Sequence, residues 1–349
     1  MSDFRIDQIT NQAGTAGPDI AGITTFSGSS GLLMPSGPTE YRGGRGRGLF
    51  GGGYTFPTPT TNFNIIDYVT IATLGNALDF GDLSQQGTNN SISACSSSTR
   101  GVWGGGSAEP STNSNVIQFV TISSTGNSFD FGDLTVARRA LAACASSTRG
   151  LWGGGRDPAN YNIIDFITIA TLGNAFKFGD LTQARRGIGA CSSSTRSVWG
   201  GGYNPTRLNT LDYIIISTLG NASDFGDLTA ERSTLGSCSS STRGLFAGGF
   251  NPTAGGYVNI IDYITITSTG NAIDFGDLLL ARSGMSSFSS SLRGIFGGGY
   301  ANAPTSVSNV IDYVTIASTG NAQDFGDLTQ GRFMLGQAGC SDAHGGLGD

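Results

Sequence analysis

The sequence predicts an all-β fold, a six-bladed β-propeller with four-stranded blades and an extended N-terminal arm, and three observations carry that prediction. An Arg-Gly-apolar-aromatic-Gly-Gly-Gly segment begins at Arg47, Arg100, Arg149, Arg196, Arg243 and Arg293, with spacings of 53, 49, 47, 47 and 50 residues and departures at Ser197 and Ala247. Each repeat holds four short segments rich in β-branched and aromatic residues, bounded by Gly, Asn, Ser and Pro. Helical periodicity is absent throughout. Four strands recurring about every 50 residues fit propeller blades, whereas solenoid repeats are shorter and supply one main strand each.

Strand b of each repeat is the Trp/Phe-Gly-Gly-Gly segment, as in Arg100-Gly-Val-Trp-Gly-Gly-Gly106. Strand c is the apolar run typified by Asn64-Ile-Ile-Asp-Tyr-Val-Thr-Ile71, and strand d is the Asp-Phe-Gly-Asp-Leu segment. Strand a, such as Ile188-Gly-Ala-Cys-Ser-Ser-Ser194, is made of small residues that suit a crowded axis. Ser-Thr-Arg-Gly between a and b, and Leu/Thr-Gly-Asn between c and d, are tight-turn sequences. Complete b-c-d triplets occur six times, but the first has no strand a before it, while a sixth a-type segment, Met334 to Ser341, has no strand b after it. Pairing the two closes the ring and removes two exposed edges. The predicted boundaries are an arm over 1–47, the propeller over 48–341 and a C-terminal tail over 342–349.

Composition narrows the function. Gly and Pro make up 66 of 349 residues, charged residues 13 %, and the net charge is −6 with a single lysine, Lys177. With no basic run beyond Arg42, Arg45 and Arg47, a nucleic-acid-binding or membrane-surface protein is not expected. No apolar run approaches the roughly 18 residues that span a bilayer, so no membrane insertion is expected, and no signal peptide is visible at the N-terminus. One histidine, His344 in the Gly-rich tail, leaves imidazole-dependent catalysis and most zinc sites without their usual groups. The chain is read as a non-enzyme with no cofactor.

The order Leu-Thr-x-Ala-Arg, a small-residue strand, an apolar strand ending in Gly-Gly, and Asn-x-Ile-Asp-Tyr resembles the kelch motif across about 48–341. The Arg after strand d is Arg138, Arg185, Arg232, Arg282 and Arg332, with Gly87 as the departure; Phe80, Phe131, Phe178, Phe225, Phe275 and Phe325 stand where kelch repeats usually carry Trp. The stretch Ile9 to Ile23, an Ile-x-Asn-x-Ala-Gly-Thr-x-x-Pro-x-x-x-x-Gly-Ile pattern, is similar to the opening of tail-fibre and other virion proteins of tailed bacteriophages. Joined to such repeats, the whole resembles virion structural proteins of marine cyanobacterial phages. The resemblance implies location in the virion, contact with other virion proteins through residues 1–47, and anchor candidates Ile9, Asn11, Gly14, Thr15, Pro18, Gly22 and Ile23.

Several motifs read structurally. The Asp-Phe-Gly triplet of kinases recurs at one blade position with no phosphate loop before it. Cys95, Cys144, Cys191, Cys238 and Cys340 share one slot of strand a, filled by Phe288 in the sixth repeat, and read as free buried thiols; a copper or zinc cluster is the alternative. Asp82 and its counterparts Asp133, Asp180, Asp227, Asp277 and Asp327, with 11 of the 18 arginines at two repeat positions, suggest inter-blade ion pairs or turn hydrogen bonds; calcium binding is the alternative.

The loops between strands b and c vary most, and function on a repeated scaffold concentrates in such loops. Their aromatic residues Tyr54, Phe56, Phe63, Tyr161, Tyr203, Phe250, Tyr257 and Tyr300 are the candidate receptor face, facing outward toward a host glycan or protein. The expected function is a tail-fibre or tail-associated adhesin, self-associated to gain from multivalency. The alternatives are a capsid or collar decoration protein and a carbohydrate-active enzyme on the same scaffold.

Overall fold

The computed structural model describes residues 26–27, 31–32, 46–55, 61–84, 91–108, 112–301, 307–333 and 337–343. The chain divides into two units, 1–38 and 39–349. In the first, Phe26–Ser27 pairs antiparallel with Gly31–Leu32. The anchor candidates from Ile9 to Ile23, Phe56, Gly87 and His344 lie outside the described residues.

The second unit is a six-bladed β-propeller of four-stranded antiparallel sheets. Strand a of the first blade is Gly339–Ser341, pairing with Arg47–Gly51 so that Gly48 meets Ser341 and Leu49 meets Cys340. The C-terminal strand therefore closes the first blade, as the strand count requires. The a strands neighbour one another in an unbroken circle and line a narrow axial cavity of about 50 Å³. Gln337 of the closing segment crosses that axis, its Oε1 accepting from Ala190 N at 3.2 Å and its Nε2 donating to Ser237 Oγ.

Repeated residues make the seams between blades. Next to the axis, serine hydroxyls bridge neighbouring a strands, which share no backbone ladder: Ser239 Oγ donates to Ser192 O, Ser289 Oγ to Ser239 O and Ser341 Oγ to Ser289 O, at 2.6–2.7 Å. One layer out, the aromatic of strand b lies on the first Gly of the preceding blade's triplet. A Cβ on Gly104 would sit 2.9 Å from Trp152 Nε1, which donates to Ser93 O. The next two glycines turn the chain with positive φ, +73° and +102° at Gly105 and Gly106. At the rim, each Gly-Asn turn clasps strand d of the preceding blade; Gly126 N donates to Phe80 O and Asn127 Oδ1 accepts from Asp82 N.

Asp82 and its counterparts thus serve this clasp through their backbone. The buried carboxylates that pair with Arg138, Arg185, Arg232, Arg282 and Arg332 belong instead to strand c of the following blade: Asp165, Asp212, Asp262, Asp312 and Asp67, at 2.8–3.1 Å. Where Gly87 replaces the arginine, strand c carries Gln118 in place of Asp, so cation and anion are lost together. The Gln118 Oε1 accepts from Ser84 N and Ser128 Oγ instead. The other arginine series stacks on its own blade's strand c aromatic and donates to the next blade, as Arg293 over Tyr313 with Nη1 to Ile71 O.

The carboxylate of one pair lacks its cap. A Thr hydroxyl caps Asp67, Asp165, Asp212 and Asp262 at 2.7 Å, whereas blade six has Leu279 there and Asp312 Oδ1 is buried without a partner. Burial raises the Asp312 carboxyl above its ordinary value against the pull of Arg282 and of the Leu279 N–H. The folded chain then holds this proton more tightly than the unfolded chain. Stability at this site is consequently lost as pH rises from the unfolded value, near 3.9, through the higher folded one. Leu279→Thr should lower the folded value, flatten that slope and add about 1–2 kcal/mol at neutral pH, read by urea unfolding at several pH values.

The five cysteines are free and buried. Each sulfur points into a blade seam, with Cys95 Sγ against Gly150, Cys191 against Gly244 and Cys238 against Gly294. Burial pushes Cys144 up to about 12 and raises Cys95, Cys191, Cys238 and Cys340 as well. Among the described residues no three His, Cys, Asp or Glu are grouped to hold a metal ion. Since thiolate is the reactive form, a colorimetric thiol reagent should find almost no reactive thiol in the native protein and all five in guanidinium.

Candidate recognition face

Antiparallel blades put the a–b and c–d turns on one face of the disc and the b–c and d–a connections on the other. Among the described residues, five of the six b–c loops pair with the linker that precedes the same blade's strand a: Tyr54 with Phe333, Arg156 with Arg139, Tyr203 with Arg186, Phe250 with Ser233 and Tyr300 with Ser283. This ties the divergent loops to the rigid disc. The linkers themselves join around the axis, Gly187 N donating to Ala140 O, Thr234 N to Gly187 O and Gly284 N to Thr234 O. Thr234 takes φ +57° in that circle, a conformation a β-branched residue adopts only under constraint.

Five of the eight candidate aromatics meet in one arc. Phe250 packs on Tyr257 at 5.2 Å between ring centroids, Tyr257 on Tyr300 at 5.4 Å, Tyr300 on Phe333 at 5.8 Å and Phe333 on Tyr54 at 5.2 Å. Tyr203 joins through Arg207, whose guanidinium lies 4.8 Å from the Tyr203 ring centre and 4.9 Å from that of Phe250. These rings are half-buried, so they stand as a packed wall. The arc borders a depression of about 270 Å³ lined by Arg207, Ser233, Thr234, Phe250, Tyr257 and Phe333 among others. Burial beside Tyr300 raises the Tyr257 phenol above its usual value, so the hydroxyl stays protonated and can donate.

Two candidates stand apart from the arc. Tyr161 bonds within its own loop, its hydroxyl donating to Asp157 O at 3.0 Å, and Phe63 donates its N–H to Gly53 O. The structure adds Phe333, which the sequence hides inside the closing segment. It also adds Arg186, centred 4.5 Å over the Tyr203 ring. Subtracting the 11 repeated arginines from the sequence would have exposed the second of these, because the remainder includes Arg139, Arg156, Arg186 and Arg207.

The turn face differs in kind. Its turns keep one length and the Gly-Asn pair in every blade, while the residue before Gly is Leu74, Leu172 or Leu219 in three blades and Thr in the others; these leucines, with Phe129 and Phe176 at the adjoining starts of strand d, are exposed by 57–68 %. Gly46 and Arg47 enter the propeller at this side, Arg47 N donating to Asp342 Oδ1 just beyond the closing strand.

No protein-family model matches the chain, and no curated protein matches it significantly. Among the described residues, no helix is long and apolar enough to cross a membrane.

Proposed function

We propose that the protein is a non-enzymatic recognition propeller of a bacteriophage virion, a tail-fibre or tail-associated adhesin that meets its ligand with the loop face. The observation that carries this reading is the division of labour between the faces. Repeated Arg, Asp, Ser, Cys and Gly are consumed in blade seams, whereas the loops that vary in both length and content bring their aromatic and arginine side chains together around one depression at the loop face. Half-exposed aromatic rings on a rigid frame supply contact area with little ordering cost. The kelch-like order of the repeats is in keeping with a binding propeller.

The virion assignment rests on the resemblance of residues 9–23 to tail-fibre openings. It makes residues 1–47 the link to other virion proteins. The exposed apolar residues of the turn face suit docking against a second chain, which leaves the loop face outward. Contacts through small aromatic loops are individually weak, so copies of the chain would act together.

A reconstruction of the phage particle at side-chain resolution tests this. It should show the loop face turned to solvent with residues 1–47 on the particle. A particle with Tyr203, Phe250 and Tyr300 buried against the virion and residues 1–47 free would refute the adhesin and leave the decoration protein.

A further inference from the structure

Arginine use on the loop face does not follow the repeat. The ion pairs of the described residues take up Arg138, Arg185, Arg232, Arg282 and Arg332, and the second series is spent on stacking and carbonyl contacts between blades. Every other arginine of the described propeller, namely Arg139, Arg156, Arg186 and Arg207, lies at the loop face of blades three and four. Arg139 and Arg156 are backbone partners across the linker and loop, with N to O distances of 3.2 and 3.0 Å. Arg186 and Arg207 both stack on Tyr203. Asn160 Oδ1 takes one Arg186 N–H at 3.2 Å, and Ser107 Oγ takes one from Arg139 at 3.3 Å. Among the described residues none of the four forms an ion pair, Asp157 beside Arg156 included. Arg207 Nε is buried with no hydrogen-bond partner. Burial and the positive charges of Arg156, Arg139 and Arg207 lower the proton affinity of Arg186, the mark of like charges held together.

A chain of net charge −6 that collects four unpaired guanidinium groups on one patch keeps them there against mutual repulsion. Guanidinium forks match carboxylate and sulfate bidentately, and stacking on Tyr203 fixes their planes. The aromatic arc begins at the same Tyr203 and runs on through Phe250 and Tyr257, where sugar rings can lie. We propose that Arg139, Arg156, Arg186 and Arg207 form an anion subsite that makes the loop face selective for acidic glycans, with a carboxylate or sulfate held by the arginines and neighbouring sugar rings against the aromatic arc. This rests on the recognition reading above and specifies its ligand class. A nucleic acid fits less well, because tracking a phosphate backbone needs a basic groove along several nucleotides and the positive charge here is confined to one end of the arc.

The test is surface plasmon resonance of the full chain against polygalacturonate, dextran sulfate, neutral dextran and oligothymidylate at two salt concentrations. Polygalacturonate or dextran sulfate should bind at least tenfold more tightly than neutral dextran, and the stronger of the two tells carboxylate from sulfate as the natural group. Raising the salt should weaken that binding. Arg186→Gln with Arg207→Gln should remove at least tenfold of that affinity at unchanged melting temperature. Lys177→Gln, which deletes the exposed cation paired with Asp180, should leave it intact. If the double variant loses its fold, Arg139→Gln with Arg156→Gln carries the same expectation. Tightest binding to oligothymidylate overturns the proposal, as does an arginine variant that binds like the parent. Neutral dextran bound as tightly as the acidic polymers overturns the anion subsite while leaving the recognition face standing; no binding to any polymer overturns the subsite and removes support from that face too.

Discussion

Arg232→Met should destabilise the propeller by about 3–5 kcal/mol, because it leaves Asp262 charged and buried without its partner. Both side chains are fully buried and the pair is 3.0 Å long. Burial already lowers the guanidinium below its ordinary value, with Asp262 pulling it back up, so the pair is held together by mutual need more than by net attraction. In a domain of this size the melting temperature should fall by on the order of 5–10 °C. The decisive comparison is Arg232→Gly with Asp262→Gln, which copies the Gly87 and Gln118 combination of blade two. Removing both charges should recover more than half of the loss, as measured by calorimetry. A double variant as unstable as the single one would mean that the pair contributes attraction and not merely compensation.

Deleting residues 333–349 should abolish cooperative unfolding altogether. It removes Gly339–Ser341 from blade one, the Gln337 bridge across the axis and the Phe333 contact with Tyr54. The exposed strand, Arg47–Gly51, is four-fifths buried in the closed ring and would become a sticky edge. Light scattering should report aggregates where the intact chain is dispersed. A circular permutant carrying 337–343 ahead of residue 46 should refold the ring, since Ser341 already pairs with Gly48. A truncated protein that melts sharply at the parent temperature would dissolve the closure argument.

Most of the scaffold was legible because each element occurs six times. The strand count alone demands closure, and one shared slot for Cys95, Cys144, Cys191, Cys238 and Cys340 signals a packing role. Repetition also hid things. It made the Asp82 series look like the partner of the buried arginines, since both recur, although the true partner, Asp67 and its counterparts, recurs just as regularly in Ile-Asp-Tyr. Only the paired departures at Gly87 and Gln118 distinguish them. Likewise, composition put the chain at −6 with no basic run, yet Arg139, Arg156, Arg186 and Arg207 converge from two linkers and two loops. Contacts between segments tens of residues apart leave no local pattern to read. Gln337 is a departure the sequence does show, standing where the other repeats carry Ile92, Leu141, Ile188, Leu235 and Met285, but its reach across the axis to Ala190 and Ser237 joins segments too far apart to read locally.

The proposed function requires that the divergent loop face, and not the turn face, does the recognising. The direct measurement is adsorption of the labelled protein to a panel of marine cyanobacterial cells, comparing the parent with two triple variants. One, Tyr203→Ala with Phe250→Ala and Tyr300→Ala, strips the loop face; the other, Leu74→Ser with Leu172→Ser and Leu219→Ser, alters the turn face. At least one strain should be bound, the aromatic variant should lose at least tenfold in affinity, and the leucine variant should bind like the parent. Binding that survives in the aromatic variant and vanishes in the leucine variant, or no bound strain at all, would contradict the proposed function.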